Sequence, residues 1–124
     1  MNYERIYGNI GFNIDRERYF ENYMEIRRAC MMEGYAPPQY LDELLLEIPD
    51  VYYVEGEDDF EYLLTDEARE RLEETLMSRR REDVKLIHMK SEVERENRLI
   101  DLYNRELEDF FEKFPQFKII LREE

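Results

Sequence analysis

Much of what an enzyme or a secreted protein needs is scarce in this chain. Its 124 residues include one cysteine, one histidine, no tryptophan, four glycines and four prolines. A lone Cys30 cannot build an internal disulfide framework and suits a reducing compartment, so a cytoplasmic location is expected. The glycines, at 8, 11, 34 and 56, are too dispersed for a loop that cradles phosphate. His88 has no second histidine to act with. Thr65, Thr75, Ser78 and Ser91 supply all the serine and threonine hydroxyls, and none sits in a nucleophile motif. No catalytic residue and no cofactor are therefore assigned. Apolar runs end after a few residues, short of the roughly 20 that cross a bilayer. No basic start followed by an apolar stretch marks a signal peptide. Excess acid also argues against direct binding to anionic lipid or to bare nucleic acid.

What is abundant is aromatic and acidic. Ten tyrosines and seven phenylalanines within a 43% apolar composition point to a folded chain, because disordered segments are poor in aromatics. The length suits one domain, residues 1–124. Net charge is −14, from 32 acids against 18 bases. Its distribution is uneven. Residues 41–74 hold fourteen acids and only two bases, Arg69 and Arg71, so this stretch carries −12 and each flank −1. Charge that serves solubility is usually spread over a surface. Concentrated in a quarter of the chain, it creates a local field that attracts basic partners.

The residue pattern predicts an α+β fold dominated by helices. About four helices, ending in a long heptad helix, would accompany a small antiparallel sheet. Ile14 to Glu33 reads as the first helix, capped by Asn13 or Asp15 and stopped by Gly34, with Phe20, Tyr23, Met24, Arg27, Cys30 and Met31 on its apolar side. Pro38 opens a second helix that Pro49 ends, with Tyr40, Leu41, Leu44, Leu45 and Ile48 on its apolar side. Val51–Glu55 and Phe60–Leu64 flank Gly56-Glu57-Asp58-Asp59, a hairpin signal over 51–64. Tyr3–Phe12 and Phe117–Leu121 are candidate terminal strands beside it. Thr65 is an expected N-cap for the next helix. Its apolar stripe lapses at Ser78-Arg79-Arg80-Arg81-Glu82-Asp83, where either the helix breaks, with Asp83 as the next cap, or one long helix crosses solvent; the break is the favoured reading. From Val84 to Lys113, Leu86, Val93, Ile100, Leu107 and Phe114 recur by sevens, with Tyr103 and Phe110 between them. That seam, Leu86, Val93, Ile100, Tyr103, Leu107 and Phe110, suits either the spine of a monomeric bundle or a homodimer contact.

The candidate partner-binding residues are Glu47, Asp50, Tyr53, Glu55, Glu57, Asp58, Asp59, Glu61, Asp66, Glu70, Glu73 and Glu74. Alternate carboxylates on an extended segment stand roughly 6.6 Å apart, a spacing comparable with that of phosphates along a DNA strand. On the following helix, steps of three and four residues make a second row. Tyr52, Tyr53 and Tyr62 would add stacking area beside the acids. Ordinary solvation and i, i+4 pairs such as Glu67–Arg71 and Arg69–Glu73 also account for some of this charge. Metal binding is not expected, because Glu55-Gly56-Glu57-Asp58-Asp59 departs from the calcium-loop spacing. Arg79-Arg80-Arg81 is flanked by Glu73, Glu74, Glu82 and Asp83, and reads as a solvated linker or an ion-paired turn.

Val51 to Leu76, a hairpin signal followed by Leu64-Thr65-Asp66-Glu67-Ala68-Arg69-Glu70-Arg71-Leu72, resembles the wing and following helix of winged-helix transcription regulators. The resemblance covers about a fifth of the chain. A wing that reads DNA is basic, whereas this one has five acids between Glu55 and Glu61. The resemblance therefore implies a fold turned to binding protein, and no family is assigned from it. The reading that follows is a small acidic inhibitor or adaptor occupying the basic groove of a nucleic-acid-binding protein. In size, acidity and lack of catalytic groups the chain resembles phage-encoded blockers of host defence nucleases, by analogy and not through a matched motif. The alternative is a helical dimerisation, scaffold or regulatory module with a merely solvated acidic surface.

Overall fold

A computed structural model describes residues 10–46 and 64–122. Within them the order is α1 (Arg16–Met32), α2 (Gln39–Leu46), α3 (Asp66–His88), α4 (Glu92–Lys113) and a 3-10 helix (Pro115–Ile120). The α+β expectation is overturned: no strand or sheet occurs among the described residues, only an isolated antiparallel bridge between Ile14 and Leu121. The hairpin expected at 51–64 lies outside them, apart from Leu64. Ile10–Phe12, the described end of the first candidate strand, is coil and bend.

The expected strand at 117–121 is mostly 3-10 helix, for a reason visible in its burial. Phe114, Phe117 and Ile120 are buried while Ile119 is exposed. That period is three, which a 3-10 helix satisfies and an alternating strand does not. Pro115 at the first helical position fixes φ and forgoes a donor that would be idle there.

Asp15 starts α1, its carboxylate accepting from Arg18 N–H at 3.1 Å. The buried line is Tyr19, Ile26 and Cys30, whereas Phe20 and Met24, expected on the apolar side, are exposed. Gly34, at φ 67°, ends α1. Its N–H donates to the Met31 carbonyl at 3.0 Å and Tyr35 N–H reaches back to that of Cys30 at 2.9 Å. This is the paired closure of a Schellman cap, and the left-handed residue it needs is glycine. A Cβ on Gly34 would also lie 2.2 Å from the Ala68 carbonyl oxygen in the first turn of α3.

Thr65 caps α3, its hydroxyl accepting from Ala68 N–H at 3.1 Å. No break occurs at Asp83. α3 continues through the charged run to His88, and the chain turns only at 89–91, where Ser91 caps α4. Arginine and glutamate are good helix formers, so the run lacks apolar residues but not helical propensity. The turn is closed by Arg95, which donates to the carbonyls of Leu86 at 3.0 Å and Met89 at 2.6 Å. Glu82–Arg98 and Arg79–Glu106, both at 3.1 Å, continue the contact along α3 and α4. Higher numbers on α3 meet lower numbers on α4, so the two form an antiparallel hairpin.

The heptad seam is thereby divided. Leu86 belongs to α3, Val93 is exposed at the start of α4, and Ile100 is partly buried. Tyr103, Leu107 and Phe110 enter the core of their own chain with Phe111, Phe114, Phe117 and Ile120, against α1 and α2. Phe110 anchors that core, with its ring centroid 5.2 Å from Phe111, 5.7 Å from Phe114 and 5.9 Å from Phe117.

Two stability outcomes follow. Gly34→Ala should cost about 2 kcal/mol or more in urea unfolding, combining left-handed strain with the collision at Ala68. Leu107→Ala, in a fully buried site, should cost about 2–5 kcal/mol. A homodimer seam would instead leave the dilute monomer little changed.

Candidate partner interface on α3

Two faces of α3 do different things. The inward line is Ala68, Arg71, Leu72, Thr75, Arg79, Glu82 and Leu86, at helical steps. Ala68 is buried against Gly34. Arg71 donates through Nε and Nη2 to the Glu33 carbonyl, at 3.1 and 2.9 Å. The expected Glu67–Arg71 pair is therefore not made, and one of the two bases in the acidic stretch instead caps the end of α1.

Arg79 is the principal residue that sequence reasoning misplaced. Far from lying in a solvated linker, it donates to the carbonyls of Ala36 at 3.3 Å and Pro37 at 2.8 Å, and to Glu106 Oε2 at 3.1 Å. Glu106 also accepts from the backbone N–H of Gln39 at 2.9 Å and from its side-chain amide at 2.7 Å. The available signal was register. Arg79 stands eleven residues after Ala68 and eight after Arg71, on the packed side of the helix. Arg80 and Arg81 do not, and both are exposed.

Of the sequence-predicted binding residues, Asp66, Glu70, Glu73 and Glu74 lie exposed on α3. Asp66, Glu70 and Glu73 share one outward line at i, i+4 and i+7. Glu74 turns toward a shallow recess of about 360 Å³ lined by Glu33, Tyr35, Arg71, Ser78 and Lys113. Among the described residues the ion pairs are Arg79–Glu106, Lys85–Glu82, Arg98–Glu82 and Lys113–Glu33. None includes these four acids. Glu47, Asp50, Tyr53, Glu55, Glu57, Asp58, Asp59 and Glu61 lie outside the described residues.

Desolvation shifts several titratable groups, raising the Asp42 carboxyl to about 6. Burial pushes the Cys30 thiol up to about 12 and the Tyr35 hydroxyl up to about 12. Burial likewise raises Tyr19 above the ordinary tyrosine range. The hydrogen bond from Arg98 holds the Glu82 carboxyl below the usual glutamate range. His88 is exposed at the last residue of α3. No cluster of three metal-binding side chains occurs among the described residues, and no helix there is long and apolar enough to cross a membrane. No protein-family model matches the chain, and no curated protein or solved structure is significantly similar to it.

Cys30 gives a direct check on this placement. Ellman's reagent should leave it unmodified in the native protein at pH 8 and titrate one thiol in guanidinium chloride. Rapid native labelling would contradict the burial of α1 against the core.

Proposed function

We propose that this chain is an acidic protein-binding module that occupies the basic groove of a nucleic-acid-binding protein and so excludes nucleic acid. The observation that supports this reading is the exposed line Asp66–Glu70–Glu73 on α3, with Arg71 directed away to the end of α1. Steps of three and four residues separate these carboxylates by about 4.5–6 Å of helix rise, on the scale of successive phosphates. A helix fixes its side-chain origins before contact, which lowers the ordering cost of binding. In this reading the acids from Glu47 to Glu61 also contribute to binding. Lysines and arginines of the target exchange phosphate for carboxylate as their counter-charge. The alternative scaffold reading loses its continuous seam, because α3 and α4 divide it and Leu107 and Phe110 are buried in their own chain.

The test is affinity capture from lysate, with the bound protein identified by mass spectrometry and its binding then measured with purified components. Binding should weaken tenfold or more between about 50 and 200 mM salt, as counterion-linked contacts do. DNA or RNA should compete for the same site. Reversing Glu70, Glu73 and Glu74 together to lysine should weaken binding at least about tenfold while leaving circular dichroism unchanged. A partner held equally at high salt, without competition from nucleic acid, would overturn the reading.

A further inference from the structure

Toward its C-terminus the exposed surface of α3 carries apolar residues, on the acidic line and on the flank beside it. Leu76, Met77, Val84 and Ile87 are large hydrophobic side chains left between 46% and 74% exposed. Leu76, Arg80, Asp83 and Ile87 follow at steps of four, three and four, so they form one line, with Met77 and Val84 along one edge of it. α4 does not cover this line, since its contacts reach α3 through Arg79, Glu82 and Leu86. Arg80 and Asp83 are exposed and take part in none of the ion pairs among the described residues.

We infer that this face binds a second copy of the chain, with α3 packed antiparallel on the partner's α3 about a two-fold axis between Arg80 and Asp83. The charge order selects that arrangement. In the antiparallel register Leu76 meets the partner's Ile87 and Arg80 meets the partner's Asp83, while Met77 and the partner's Val84 lie within two residues of one another along the shared edge. Symmetry repeats each contact, so the axis is flanked by two opposite-charge pairs inside an apolar frame. Parallel pairing would set each Arg80 against its own copy and each Asp83 likewise, an arrangement of like charges that costs energy. The register also puts Lys90 level with the partner's Glu73, easing the acidic end of the face. Met77 and Val84 of both copies fall on the same side of the axis, closing one flank with apolar surface.

The contact is about three helical turns long, roughly 16 Å from Leu76 to Ile87. Such a face buries less than the roughly 1,200 Å² of a standard stable interface. The association is accordingly a reversible, concentration-dependent dimer and leaves the acids at Asp66 and Glu70 on its two outer ends.

The experiment is sedimentation equilibrium of the full chain from micromolar to millimolar concentration. It is run at physiological ionic strength, to screen the repulsion between copies of net charge −14. A monomer–dimer equilibrium is expected. Ile87→Lys, at the most exposed of these positions, should abolish it while leaving unchanged the melting temperature measured at dilution, where the chain is monomeric. Arg80→Asp alone and Asp83→Arg alone should each weaken the dimer about tenfold or more. The combined charge swap should restore it, because the exchanged charges again oppose each other across the axis. A monomer at every concentration would overturn the inference. So would a dimer that survives Ile87→Lys, or a swap that does not rescue. If Ile87→Lys lowers the melting temperature of a monomer, the face is covered by the chain itself, and the inference also fails.

Discussion

The Glu106 carboxylate joins three helices at one point. It accepts from both nitrogens of Gln39 at the start of α2 and from the Arg79 guanidinium of α3, while itself belonging to α4. Arg79 in turn donates to two backbone carbonyls before α2. Side chains of Arg79 and Glu106 are only 18% and 22% exposed, so neither charge is well served by water, and removing one would strand the other. Together with the Arg71 contact to Glu33 and the close approach of Ala68 to Gly34, this node sets which side of α3 faces the body of the protein.

That orientation has a consequence for everything α3 presents outward. A helix seated by arginines needs little apolar surface on its inner side, and Ala68, Leu72 and Leu86 are the chief apolar residues there. The remaining hydrophobic residues of α3 are turned to solvent along with its acids. The exposed surface of α3 consequently changes along its length, with Asp66, Glu70 and Glu73 toward the N-terminus and, on the same line and the flank beside it, Leu76, Met77, Val84 and Ile87 toward the C-terminus. Charged and apolar halves of one rigid helix can engage different partners, one through field and counterion release and the other through burial of surface.

Local signals were legible where the chemistry is local. Asp15 and Thr65 as caps and Gly34 as a stop can each be read from a few residues, and the structure places all three so. Long-range pairing was not legible. Nothing near Arg79 announces that its partners are Glu106 and the carbonyls of Ala36 and Pro37, and its acidic neighbours suggest local cancellation. The heptad spacing from Leu86 to Phe114 was real as a pattern, yet it crosses a turn at 89–91. Its first half lies on two different helices, and its second half is consumed by the aromatic core. Phe117–Leu121 suggested a strand because its residues are β-prone, and burial at a period of three overrode that propensity. Of the acidic residues, those on α3 are exposed, while the acids from Glu47 to Glu61 lie outside the described residues.

The seating of α3 is tested most directly by a double-mutant cycle on Arg79 and Glu106, read as urea-unfolding free energies of Arg79→Ala, Glu106→Ala and the pair. A coupling of about 1–2 kcal/mol is predicted, as for a charge-assisted contact largely removed from water. Strictly additive effects would mean that the two side chains do not hold α3 to α4, and the separation of its inner and outer faces would lose its physical basis.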